Sequence, residues 1–225
     1  MGSVIGNILP EAIAVAISPL PIVAVILMLF SKKAKANSLA FLVGWIIGLA
    51  AVCAIVTAIG STQNMAAGSG ASNASYGLKI ILGLLLLFLA VRNWKKRPKP
   101  GEQPKMPAWM SSIDTLKPGK AFLLAVALAG INPKNLALTL AAALYVAQAS
   151  LATTQAVAAL AIFIVIASLT IALPVLLNLF MGEKAAGTLN SWKMWLTTNN
   201  STVMFVLLLV FGFVLLGEGI AGLSE

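Results

Sequence analysis

The chain has 225 residues, 60% of them hydrophobic and only 9% charged, with a formal net charge of +9. Soluble domains carry about a quarter charged residues, so the composition excludes a soluble globular protein; the basic residues sit in the gaps between apolar runs, where orientation signals belong, which excludes nucleic acid as the partner they serve. There is no histidine and a single cysteine, Cys53, so an intrachain disulfide, a CxxC redox pair and the commonest proton relay and metal ligand are all excluded.

The predicted elements are six membrane-spanning helices, the mark of an all-α integral membrane protein. The first runs from about Ile8 to Phe30, the second from Ser38 to Gly60 and the third from Tyr76 to Arg92. The fourth runs from about Gly119 to Ala147, the fifth from Leu151 to Phe180 and the sixth from Ser201 to Ala221. Most have the roughly 20 apolar residues that cross a hydrocarbon core of about 30 Å. The fourth and fifth are longer and must tilt or bend, with Pro133 and Pro174 as the bending points. The first span has no basic residue before Lys32 and is too long for a signal-peptide core, so it reads as a retained helix. Cys53 reads as a small packing residue of the second span, and "GWIIG" (Gly44 to Gly48) as a site of close helix approach, within the chain or in a homodimer.

The loops set the orientation. Thirteen of the fifteen basic residues fall in the loops after spans one, three and five or at their rims, and none in those after spans two and four. Both termini are therefore expected outside and the basic loops in the cytoplasm. The longest of these, residues 95–118, separates a first half (1–94) from a second (119–225) within one membrane domain. It opens as a Pro- and Lys-rich linker that a membrane of anionic headgroups would attract. "PAWMSSIDTL" is then expected as a short surface helix opened by Pro107, with Trp109 in the interface. "EKAAGTLNSWKMWLTT" (Glu183 to Thr198) reads as an interfacial helix with Leu189, Trp192, Trp195 and Leu196 on one face.

An internal repeat is legible. "AIAVAISPLPIVAVILML" (Ala12 to Leu29) aligns without a gap on "AVALAGINPKNLALTLAA" (Ala125 to Ala142), placing Ile17 on Ile131, Ser18 on Asn132, Pro19 on Pro133 and Leu20 on Lys134. The two segments lie three spans apart, so they run in opposite directions: an inverted repeat of 3+3 with helices 1 and 4 broken, the arrangement expected of secondary transporters. A proline frees backbone carbonyls, which must be buried in protein or face a wet cavity, so Pro19 and Pro133 are expected across a central site.

Ser18, Pro19, Pro21, Asn132, Pro133, Lys134 and Asn135 are the candidate substrate-binding residues. A lysine at the centre of a membrane helix costs about 2.5–3.5 kcal/mol. Lys134 is thus expected either to hold an anionic group such as a phosphate or carboxylate, or to serve folding alone, by capping the carbonyls freed at a proline break or by pairing with a carboxylate. Glu11, beside Pro10, and Glu218 are the candidate ion-coupling carboxylates; Glu11 also reads as the partner of a lysine, and both read as solvated residues at outer helix ends, Glu11 favoured there by the helix dipole. Nothing resembles an active site: no paired carboxylates, no activated nucleophile, no metal cluster and no cofactor motif. A GxxxxGK[ST] nucleotide loop is absent from the sequence.

"INPKNLAL" in span four, "SPLP" in span one, six spans and a basic third loop together resemble the lysine exporter (LysE) superfamily. Within it, "MPAWMSSIDTLKPGKAF" followed by "GINPKNLALTLAAA" is similar to the peptidoglycolipid- and sulfolipid-addressing (GAP/Sap) proteins. Where amino-acid exporters of the superfamily have PGP in span one, this chain has Leu20 in place of the glycine. The resemblance implies a multi-pass protein of an actinobacterial plasma membrane that moves cell-envelope glycolipids or lipid-linked precursors, with Asn132, Pro133 and Lys134 as the site motif. Two other readings stay open: an exporter of a small solute, amino acid or cation, and a non-transporting scaffold that recruits lipid-biosynthesis enzymes or an exporter through the residue 95–118 loop.

Overall fold

The computed structural model describes residues 1–67, 73–95, 97–98, 110, 113, 115–149 and 151–224. The described residues form eight α-helices and no strand. Helix α1 is Gly2–Ala16 and α2 Pro19–Leu29; α3 is Ala34–Ala67 and α4 Asn73–Lys95. Then come α5, Pro118–Gly130, α6, Pro133–Gln148, α7, Thr153–Met181, and α8, Ala186–Ser224. Prolines open α2, α5 and α6, where their fixed φ suits the first turn and the missing N–H is not needed. Gly182, with φ of +54°, ends α7 in a conformation that favours glycine.

The two expected broken helices are present. α1 and α2 meet at 51° across Ile17 and Ser18, and α5 and α6 at 63° across Ile131 and Asn132. The breaks therefore fall on the residues that the repeat alignment pairs. Pro174, in contrast, lies within an uninterrupted α7, as Pro10 does within α1. Among the described residues three stretches are long and apolar enough to cross a membrane (Ala34–Ile59, Asn73–Lys95 and Thr153–Leu223), or five when each bent pair counts as one span. Thr153–Leu223 holds both α7 and α8.

The helices are apolar on both sides, as the membrane requires. Inward, Phe41, Trp45, Leu49 and Cys53 of α3 join Phe163 and Ile171 of α7 in one core. The Trp45 indole N–H donates to the Ala167 carbonyl at 3.3 Å, tying α3 to α7. Outward, Ile55, Ile81, Phe88, Leu123, Val165 and Phe213 are exposed, large apolar side chains on five helices that suit lipid better than water. The GWIIG glycines are used within the chain: Gly44 and Gly48 lie against Phe122, Val126 and Ala129 of α5. Gly83, Gly212 and Gly219 bring α4 and α8 equally close.

Two expectations about the basic connecting segments change. Of the anticipated surface helix, Pro107 and Trp109 lie outside the described residues, while Met110 and Ile113 are buried in the core. The Asn37 amide also donates to the Leu116 carbonyl at 3.0 Å. The end of this loop is thus held inward by packing, beyond a headgroup tether. The Glu183 to Thr198 segment is no separate helix: Gly182–Ala185 form a short 3-10 turn, and α8 runs from Ala186 on through the rest. Leu189 and Leu196 point inward and Trp195 is 58% exposed, so the four residues do not share one environment.

A methyl group at Gly44 would strike the Phe122 carbonyl, whereas Gly77 has nothing within 4 Å. Gly44→Val should therefore cost about 1–3 kcal/mol, the usual effect of overpacking. Thermal unfolding in detergent checks this, with Gly77→Val expected to leave the midpoint within a degree or so of the parent's by comparison.

Candidate functional site

The first break is set by two missing donors. Pro19 and Pro21 have no N–H, so the carbonyls four residues earlier, of Val15 and Ile17, lose their helical partners. The Ser18 N–H turns to the Ala16 carbonyl at 2.8 Å, leaving that of Ala14 free as well. Buried carbonyls need partners, and side chains supply them. The Ser18 hydroxyl lies 2.7 Å from the Val15 oxygen, and Thr170 of α7 donates to that of Ala16 at 2.5 Å. The Lys134 ammonium reaches across from the other break and donates to Ala14 at 2.6 Å and Ile17 at 3.3 Å.

The second break is built the same way. The Asn132 N–H bonds to the Ala127 carbonyl at 3.2 Å. The Leu128 carbonyl it would have met in a straight helix accepts from Asn135 Nδ2 at 3.0 Å instead. Asn132 Oδ1 caps α6 by accepting the Lys134 backbone N–H at 3.1 Å. Ser18 Oγ lies 2.8 Å from Asn135 Oδ1, completing the junction. Ser18, Pro19, Pro21, Lys134 and Asn135 are buried, Asn132 is half-buried and Pro133 exposed. Lys134 thus satisfies the freed carbonyls, as one of the expectations had it. With two of its three N–H groups used, one remains.

Beside the junction lies a cleft of about 200 Å³, and Lys134 is among the residues that line it. Its walls are Leu89, Arg92 and Asn93 of α4, Asn132, Pro133 and Lys134 at the second break, and Met204 and Leu208 of α8. Two cationic side chains and two amides line it, and no carboxylate does. An Arg fork and an ammonium on apolar walls suit an anionic group carried on an apolar body. Sequence reasoning missed Arg92, which counted only as an orientation signal, along with Asn93, Leu89 and the two α8 residues. Only the packing of α4 on α8 across 100 residues brings these to Lys134.

The candidate ion-coupling residues lie elsewhere. Glu11 is in the body of α1, 4% exposed, with Oε2 unbonded among the described residues, so it is no solvated helix-start residue. Glu218 is not simply solvated either: it pairs with Lys79 of α4 at 2.8 Å. The Lys79 ammonium lies 5.6 Å from the Tyr145 ring centre, and the Tyr145 hydroxyl accepts from Asn7 Nδ2.

The fold and site define a class: an all-helical, multi-pass membrane protein with two broken helices joined through buried polar side chains. A family model described as "Sap, sulfolipid-1-addressing protein" matches residues 8–221. The chain belongs to that family, and a lipid-related membrane role fits both. Comparison with curated proteins and with solved structures gave no match.

Lys134→Met strands the Ala14 and Ile17 carbonyls, and each buried acceptor left unpaired costs about 1–3 kcal/mol. The variant should melt well below the parent in detergent, while Arg92→Gln, at an exposed position, should melt with it. Equal midpoints for Lys134→Met and the parent would show that the ammonium does not hold the junction.

Proposed function

We propose that the protein moves an anionic cell-envelope lipid or lipid-linked precursor across the plasma membrane. The observation that carries this reading is the cleft: Arg92 and the remaining Lys134 donor hold the headgroup, and Leu89, Met204 and Leu208 receive the start of its apolar part. The sulfolipid-addressing family supports a lipid as the cargo. The cleft's small volume suits a headgroup better than a whole lipid, so the acyl chains stay in the bilayer. With no nucleotide-binding loop in the sequence, an ion gradient, the membrane potential or the lipid's own gradient drives the movement.

The mechanism needs a six-span, inverted-repeat frame, and several features support it. A 71-residue stretch such as Thr153–Leu223 would measure about 107 Å as one helix, far more than a bilayer, and Gly182 divides it. The pairings also respect the repeat: α5 packs on α3 as α1 packs on α7, α6 on α3 as α2 on α7, and α4 meets α8. In this frame the termini lie outside and residues 95–118 in the cytoplasm, with membrane lipids and lipid-biosynthesis enzymes as the partners at that face.

Two measurements check the reading. In a Cys53→Ser background, Lys33→Cys and Lys184→Cys should react with a membrane-impermeant thiol reagent only from the cytoplasmic side, and Ser3→Cys only from outside. In proteoliposomes holding fluorescent sulfated or phosphorylated lipids, Arg92→Gln should slow transbilayer movement about 10- to 100-fold, the worth of a charge-assisted hydrogen bond. Undiminished movement by Arg92→Gln would remove the headgroup from the cleft. Movement of an amino acid or metal cation with no lipid movement would favour the small-solute exporter.

A further inference from the structure

The cleft leaves the Glu11 cluster unexplained. Glu11 sits one turn before Ala14 in α1, buried, with one carboxylate oxygen lacking any hydrogen bond among the described residues. A buried charge is normally paired, and Lys79, a cation that acts on Glu11 electrostatically, already bonds Glu218. Glu11 lies within electrostatic range of both. The three groups therefore carry one positive and two negative charges, and a proton on Glu11 brings them to neutrality. A metal ion fits poorly. It needs several oxygen ligands at once, the Lys79 ammonium repels it, and no metal-binding group of three or more acidic, His or Cys side chains exists among the described residues.

The ionisable groups around α1 are few. α6 presents Tyr145 and Lys134, α4 presents Lys79 and α8 presents Glu218, while α7 has no ionisable side chain. Lys134 supplies the connection to the cleft: its ammonium holds the Ala14 and Ile17 carbonyls at the end of the helix that carries Glu11. An anion entering the cleft competes with those carbonyls for the ammonium. Any resulting shift of α1 moves Glu11 against the Lys79–Glu218 pair. Lys79 and Leu89 are ten residues apart on α4, so the cluster and the cleft lie about 15 Å apart along the bundle.

We infer that Glu11 is a proton-binding site linked through α1 to the Lys134 ammonium of the cleft, so that one proton and one anionic headgroup bind at two ends of one helix. The proton joins Glu11 Oε2 from water at the end of the bundle where α1 begins and leaves the same oxygen when α1 shifts. Linkage is reciprocal: the anion alters the proton affinity by the factor by which the proton alters the anion affinity. Proton binding itself does not depend on the cargo being a lipid.

Infrared difference spectroscopy of reconstituted protein, titrated with acid and base, tests the site without any transport. A protonated-carboxyl stretch should appear on acidification, vanish in Glu11→Gln, persist at a shifted frequency in Glu11→Asp and persist in Glu218→Gln. Lys134→Met should displace its midpoint by about fivefold or more in proton affinity, the low end of ordinary coupling. The same band in Glu11→Gln, or no titrating band in parent protein, overturns the site. An unmoved midpoint in Lys134→Met overturns the linkage, and a midpoint that follows sodium concentration replaces the proton with a metal cation. Lipid movement that depends on pH in the parent but not in Glu11→Gln then joins this site to translocation. pH-dependent lipid movement by Glu11→Gln would leave the cargo reading standing and defeat this one.

Discussion

One buried ammonium holds the two broken helices together. Prolines at 19 and 21 strip donors from two carbonyls, the turn of the chain strips a third, and lipid can return none of them. Lys134 answers two of the three from the other half of the chain, Ser18 the remaining one. The cost of burying a lysine and the cost of stranding carbonyls offset each other only when both occur at the same place. That constraint fixes the crossing of α1 and α6, and with it the positions of α7, through Thr170, and of the cleft at the second break.

The gapless alignment of the two broken segments locates where the junction becomes lopsided. Pro19 and Pro133 occupy matching positions, and so do Ser18 and Asn132 as the residues before them. At the next position the halves part: Leu20 stands where the other has Lys134. A lysine on both halves would place two ammonium groups at one crossing, with too few free carbonyls to divide between them. A leucine on both would leave Ala14 and Ile17 unpaired. One lysine in one half satisfies the backbone with two of its three donors, at a residue that also lines the cleft.

The sequence exposed the breaks because proline acts locally: the missing N–H is a property of the residue, and the two helix ends lie where the alignment puts them. Apolar run length likewise placed most helix bodies within a few residues. What stayed hidden was decided by packing between distant segments. Arg92 resembles any rim charge until α8 lies beside it. Glu11 next to Pro10 looks like a helix start, since proline favours the first turn, yet α1 begins eight residues earlier and carries Pro10 inside. The tryptophan-rich stretch reads as an interfacial helix because no local signal marks that α8 runs on through it. Leu189 and Leu196 turned inward show the packing that carries it through.

The placement of charge along α4 and α8 gives the molecule a direction. Lys79 and Glu218 pair near one end of that helix couple, and Arg92 faces the cleft near the other. Between them the couple is closed by glycines, whose backbones approach too closely for any side chain to intervene. A polar path straight along α4 and α8 is therefore blocked by packing. Two other helices span both polar regions: α6, with Lys134 at the cleft and Tyr145 beside Lys79, and α1, which carries Glu11 at one turn and Lys134-bound carbonyls at the next. Its proline break makes that helix end in side-chain hydrogen bonds rather than in continuous backbone ones, and side-chain bonds can be exchanged for a ligand's without unwinding the helix.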